Sequence, residues 1–241
     1  MKEKLYTIPL SEAFEKESEC PFCALFDELE KRAIEYTMGP SYMEPDVRIK
    51  TNELGFCREH YNKMYAMKNR LGLALMLTSH MDTVISEYES HYREMFSGEK
   101  KGIFSKKKNI TDNFIGKLEN SCFICDKISA DMDKFFDTFI FMWRKENEFK
   151  NKVLNSKGFC LQHFDKIVGL AHEKMSPGEF KEFFEILIEK QKSDLTRVKD
   201  ELDWFIQKFD YRFKDEPWKN SRDALKRSVI KVASENPEKE E

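Results

Sequence analysis

Four potential metal ligands occur twice in this chain, and their spacing limits what it can become. The first copy is Cys20-Pro21-Phe22-Cys23 followed by Gly55-Phe56-Cys57-Arg58-Glu59-His60-Tyr61. The second is Cys122-Phe123-Ile124-Cys125 followed by Gly158-Phe159-Cys160-Leu161-Gln162-His163-Phe164. The copies keep register to within one residue over roughly a hundred, which marks repeated structure rather than coincidence. The two copies hold all 6 cysteines of the chain.

The chemistry accounts for the spacing. Two cysteines separated by two residues can turn both sulfurs toward one ion, and a Cys and a His three residues apart lie on one face of a helical turn. Three thiolates and one imidazole form a closed tetrahedral set suited to structural zinc. Gly55 and Gly158 allow the backbone to bend just before the second ligand pair. The aromatic side chains at 56, 61, 159 and 164 are suited to shielding a metal. The expected ligands are therefore Cys20, Cys23, Cys57, His60, Cys122, Cys125, Cys160 and His163, for two zinc ions. The spacing leaves open whether one centre draws on one copy or on both.

Two other readings compete. Buried cysteines often act as small hydrophobes, but paired spacing with coupled histidines speaks against that here. A Cys-x-x-Cys pair at a helix start can also be a reactive dithiol. That reading leaves Cys57, His60, Cys160 and His163 without a role, and no alternation of strands and helices accompanies it. An iron–sulfur cluster is an alternative cofactor, since thiolates with an occasional histidine hold such clusters.

With 21 Phe but only 9 Gly and 7 Pro in 241 residues, the composition favours helices over a many-stranded sheet. Basic and acidic residues nearly balance, 41 against 44, which gives no whole-protein attraction to nucleic acid or an anionic membrane. No stretch approaches the length of a membrane span, and the first ten residues lack the apolar core of a signal peptide. A cytoplasmic protein with reduced cysteines is expected, in which regular cysteine spacing means metal or redox chemistry rather than disulfides.

Periodicity places helices in matching order after each ligand pair. After Cys23 a helix carries Leu25, Phe26, Leu29, Ala33 and Tyr36 as far as Gly39-Pro40, and a polar link covers 41–52. Another helix starts near Cys57 and pauses at Leu71-Gly72; a long one then runs to about Phe96 with a stripe of Leu77, Met81, Val84, Tyr88, Tyr92 and Met95. In the second half, Phe135, Phe136, Phe139 and Trp143 belong to the helix after Cys125. Further helices start at Cys160 and Ser176. A last segment presents Leu225, Val229 and Val232. The expected fold is all-α, with two tandem metal-anchored helical repeats packed as one pseudo-symmetric unit. The expected divisions are a first repeat over 1–97, a Lys-rich linker over 98–113, a second repeat over 114–213, and a C-terminal extension over 214–241 with a short helix and a disordered acidic end.

Other chemistry is sparse. His80, His91 and His172 stand outside the repeat and are not expected to be ligands. There is no Gly-rich phosphate loop, Gly-x-Ser-x-Gly elbow or His-Glu-x-x-His pair. Four donors per centre leave no open position for water, which argues against a zinc hydrolase. No catalytic residue is assigned.

With these motifs in view, the chain resembles an uncharacterised bacterial family of duplicated helical proteins. Besides the ligand sets, the likeness rests on Phe209-Asp210-Tyr211-Arg212, Pro217-Trp218 and Ser221-Arg222-Asp223-Ala224-Leu225, and it spans about residues 5–233. The resemblance supplies no activity. The functional expectation is a zinc-stabilised, non-enzymatic scaffold or adaptor that binds a protein partner. A thiol-based redox or metal-handling protein using Cys20/Cys23 and Cys122/Cys125 is the first alternative, and nucleic-acid binding through the lysine-rich linker and helix faces is a less favoured second.

Overall fold

The computed structural model describes residues 4–96 and 116–237, so the expected linker over 98–113 and the last residues, 238–241, lie outside it. Among the described residues the chain is helical and contains no strand. The principal helices are α1 (Lys4–Glu15), α2 (Pro21–Met38), α3 (Pro45–Leu54), α4 (Arg58–Ala66), α5 (Arg70–Phe96), α6 (Phe123–Lys145), α7 (Asn147–Asn155), α8 (Leu161–Lys174), α9 (Pro177–Gln207) and α10 (Ala224–Ala233). No helix among the described residues is long and apolar enough to cross a membrane.

Local sequence explains most of these boundaries. Pro21 and Pro45 open α2 and α3, positions where a missing N–H costs nothing. Asn69 accepts from the Gly72 N–H at 2.9 Å and donates to the Met38 carbonyl at 2.7 Å, so it both starts α5 and ties it to α2. Ser176 and Glu179 form a reciprocal capping box at the start of α9, with Pro177 at the first helical position.

The chain divides into two compact units. The first unit is Met1–Asp27 with Met132–Glu241, and the second is Glu28–Asp131. The division falls within α2 and within α6.

The core of the first unit is aromatic. Phe22 and Phe136 stack at 4.5 Å, Phe14 meets Phe149 edge-on at 5.2 Å, and Trp143 meets Phe183 edge-on at 5.1 Å. Such pairs contribute about 0.5–1.5 kcal/mol each beyond their buried area. Phe135, Phe136, Phe139 and Trp143 are all buried here, so the α6 stripe is core rather than a ligand pocket. Helix α1 packs on α7, and α10 packs on α8 and α9.

In the second unit α3 and α4 pack on α5. Ala33, Ile34 and Met38 of α2 are buried there, together with Val47, Met64, Leu73 and Met76.

Three sequence expectations need correction. The polar link over 41–52 contains a short 3₁₀ turn (Pro40–Met43) and most of α3. Only Val47 and Thr51 of α3 are buried, which is too little apolar signal to reveal a helix. The α5 stripe is largely solvent-facing: Leu77, Met81 and Tyr88 are exposed, whereas Leu73 and Met76 point inward. In α10 the expected apolar face is also turned outward. Leu225 and Val232 are exposed, and the buried residues are Ala224, Arg227 and Lys231. The reason is electrostatic, since that face meets carboxylates and backbone carbonyls beside the ligands.

Candidate metal centres

All four ligand pairs sit at helix starts. Cys20 and Cys122 immediately precede α2 and α6, with Cys23 and Cys125 in their first turns. Cys57 and Cys160 are the N-caps of α4 and α8, with extended φ/ψ of −71/166° and −72/163°, and His60 and His163 follow in the first turns. The sulfurs therefore lie where helix N–H groups point outward, an environment that favours thiolates. The Cys160 sulfur accepts the His163 N–H at 3.4 Å, and the Cys122 sulfur accepts the Cys125 N–H at 3.5 Å.

The glycines behave as their position requires. Gly55 has φ of 59° and Gly158 φ of 79°, both left-handed. A Cβ at Gly55 would clash with the His80 ring, and one at Gly158 with the Asp194 carboxylate. His80 is thus no ligand: its Nδ1 lies 2.8 Å from the Asn52 carbonyl, and the ring covers Gly55. Asp194 occupies the same role over Gly158, held by Lys190 at 3.0 Å.

These helix starts bring the eight predicted ligands together in two groups of four, and each group draws on both motif copies. Cys20, Cys23, Cys160 and His163 converge in the first unit; Cys57, His60, Cys122 and Cys125 converge in the second. Within each group all ligand atoms lie within 4.8 Å of one another.

Zinc–sulfur bonds of about 2.3 Å and zinc–nitrogen bonds of about 2.0–2.1 Å imply tetrahedral edges of about 3.8 Å between sulfurs and about 3.6 Å from sulfur to nitrogen. The Cys23–Cys160 and Cys57–Cys125 sulfur separations are 3.7 and 3.8 Å. Nδ1 of His163 lies 3.4, 3.4 and 3.0 Å from the sulfurs of Cys20, Cys23 and Cys160. Nδ1 of His60 lies 3.1, 3.3 and 3.4 Å from those of Cys57, Cys122 and Cys125. A disulfide requires about 2.05 Å, and all six cysteines are free. The donor set and its spacing fit a single tetrahedral ion in each unit.

Charge at the sites agrees. Burial disfavours a charged His60, but the Cys122 sulfur and the Glu30 carboxylate outweigh it and hold the ring near pKa 10. His163 is likewise raised to about 10, against burial, by the Cys160 and Cys20 sulfurs. Burial raises the Cys122 thiol, yet the bond to His60 brings it down to about 6. The Cys160 thiol is also lowered, first by hydrogen bonds from Cys20 and Cys23, while that of Cys23 is pushed up by its sulfur neighbours. Clustered sulfurs that favour a protonated imidazole beside them would equally favour a bound cation in its place.

Two units with complete Cys₃His sets frame the comparison with other proteins. A model of a family of unknown function, DUF6062, matches residues 1–239. The chain belongs to the DUF6062 family. No curated protein and no solved structure matches it. For a DUF6062 protein, function must therefore be read from the geometry around the two clusters.

That surrounding layer was largely invisible in the sequence. In the second unit Glu30, buried on α2, places Oε1 3.3 Å from His60 Nε2 and is bonded by Lys63 at 2.8 Å. A carboxylate behind a ligating imidazole fixes the ring and raises its basicity. Also in the second unit, the Phe123 N–H donates to the Gly55 carbonyl at 3.0 Å, joining the two half-sites directly. The matching position in the first unit is Pro21, which has no N–H. There α10 supplies the link instead. Lys231 donates to the carbonyls of Glu19 at 2.7 Å, Phe159 at 3.4 Å, and Lys157, spanning the residues just before Cys20 and Cys160. Ser234, with φ of 61°, donates its hydroxyl to the Cys160 sulfur at 2.9 Å. The one sequence signal was the spacing of Arg227, Ser228 and Lys231, polar residues on one helical face.

Proposed function

We propose that each unit closes around one zinc ion that acts structurally, and that the protein is a non-enzymatic helical scaffold or adaptor whose surface engages a protein partner. The observation that carries this reading is the pair of complete Cys₃His sets, each with all four ligand atoms within 4.8 Å of one another. Four donors per centre leave no protein-free position for an activated water.

Each ion would join helix starts that are far apart in sequence, Cys20/Cys23 to Cys160/His163 and Cys57/His60 to Cys122/Cys125. Its binding energy then becomes folding energy, as in zinc fingers, where it amounts to about 10–16 kcal/mol at neutral pH. A reduced cytoplasmic setting suits free thiolates.

All four ligand atoms of each group lie within 4.8 Å of one another, which favours one shared ion over an iron–sulfur cluster, where ligands on different irons stand farther apart.

The test is metal analysis of protein purified without added metal. Two zinc ions per chain, with loss of helical signal on chelation, support the reading. A metal-free, stably folded chain, or brown protein absorbing in the visible, overturns it.

A further inference from the structure

The two clusters share a ligand set but not a setting, and this difference carries an inference that rests on the zinc reading above. In the first unit Cys20 and Cys160 are 1% and 0% exposed. Ser234 donates to the Cys160 sulfur, Lys231 bridges the carbonyls ahead of both half-sites, and both residues belong to the extension that follows only the second motif copy. In the second unit Cys125 is exposed and Cys57 partly so. Among the described residues, no side-chain hydroxyl or ammonium donates to a sulfur there. The imidazole of His60, by contrast, is buried and backed by Glu30.

A cavity of about 380 Å³ does reach Cys20 and Cys23. Solvent access alone therefore does not separate the centres. What separates them is the exposed Cys125 ligand on one side and the Ser234 and Lys231 clamp on the other.

We propose that the second unit's centre is a zinc-exchange site, entered at Cys125 by a small thiolate or chelating ligand, and that the first unit's centre is permanent. In the exchange step the incoming thiolate sulfur forms a bond to zinc as the Cys125 sulfur–zinc bond breaks. One thiolate replaces another, so the charge on the complex is unchanged, nothing is oxidised or reduced, and the released Cys125 sulfur takes a proton from water. The buried His60, with the Glu30 carboxylate 3.3 Å behind its ring, and the buried Cys122 retain the ion until a second donor arrives.

The experiment uses the full chain carrying two zinc ions and the chromophoric chelator 4-(2-pyridylazo)resorcinol in excess. Surrounding hydrogen bonds alter metal affinity by about 10–100-fold, so release is expected in two equal phases at least about tenfold apart in rate. Brief N-ethylmaleimide treatment with peptide mapping should label Cys125 and Cys57 during the fast phase, and Cys20 and Cys160 only in the slow one. Ser234→Ala should accelerate the slow phase and leave the fast phase unchanged. A single release phase, or labelling of Cys20 or Cys160 first, overturns the exchange proposal while the zinc reading stands. A chain without two zinc ions fails the zinc reading before exchange is measured.

Discussion

Lys231→Met removes an ammonium while keeping the length of a side chain only 1% exposed. Three carbonyls lose a donor, but Phe159 keeps the Gln191 amide at 3.0 Å, leaving those of Glu19 and Lys157 without the ammonium. The Glu19 carboxylate loses a partner at 3.4 Å and keeps Arg197 at 2.7 Å. An orphaned buried acceptor costs about 1–3 kcal/mol, and breaking a buried charge pair about 3–5 kcal/mol. A net loss of about 3 kcal/mol is expected, because the retained partners absorb part of the damage. For a chain of this size that lowers the midpoint of thermal unfolding by about 6–12 °C. The assay is thermal unfolding followed by circular dichroism on zinc-bound protein, with metal content measured on the same sample. Lys199→Met is the control, since Lys199 pairs with Asp203 on an exposed face and should leave the unfolding midpoint nearly unchanged. A Lys231→Met shift no larger than the control's refutes the clamp.

Other outcomes follow from the same geometry. Gly55→Ala and Gly158→Ala should each destabilise by about 1–3 kcal/mol in denaturant melts, through positive φ and contact with His80 or Asp194; tolerance of both would show that the glycines are not required. Glu30→Gln should weaken zinc at the second unit by about 10–100-fold in competition with a chelator, with the first unit unaffected, and equal losses at both would remove Glu30 from its assigned role. Glu179 is held near pKa 2 by the Ser176 N–H and hydroxyl and by Arg144, below the 4.5 of a free side chain. Because the folded value is the depressed one, its contribution is present above about pH 4.5 and lost as pH falls through about 2. A carboxyl NMR titration should give a midpoint near 2, and a midpoint near 4.5 contradicts the capping box.

The residues of the two candidate Cys₃His sets are legible because their chemistry constrains short spacing: Cys-x-x-Cys and Cys-x-x-His each fit one helical turn. Their partnership was not legible, since joining Cys20 to Cys57 or to Cys160 satisfies the same local spacing, and only long-range packing decides between them. Helix α3 escaped notice because Val47 and Thr51 alone turn inward, although Pro45 and Gly55 mark its ends. The face of α10 was misread for a related cause. Apolar periodicity assumes that the core accepts only hydrocarbon, whereas this core holds Glu19 and backbone carbonyls that require Arg227 and Lys231. Glu30, His80 and Asp194 act through positions that only folding brings beside the ligands.

Zinc content of paired cysteine-to-serine variants tests most directly whether each centre is built from both motif copies. With two zinc ions in the parent chain, Cys20→Ser with Cys160→Ser should leave one ion, as should Cys57→Ser with Cys122→Ser. Cys20→Ser with Cys57→Ser, which removes one residue from each centre but leaves the second motif copy intact, should leave none. One zinc retained in that last variant, with none in the first two, would contradict the crossed arrangement.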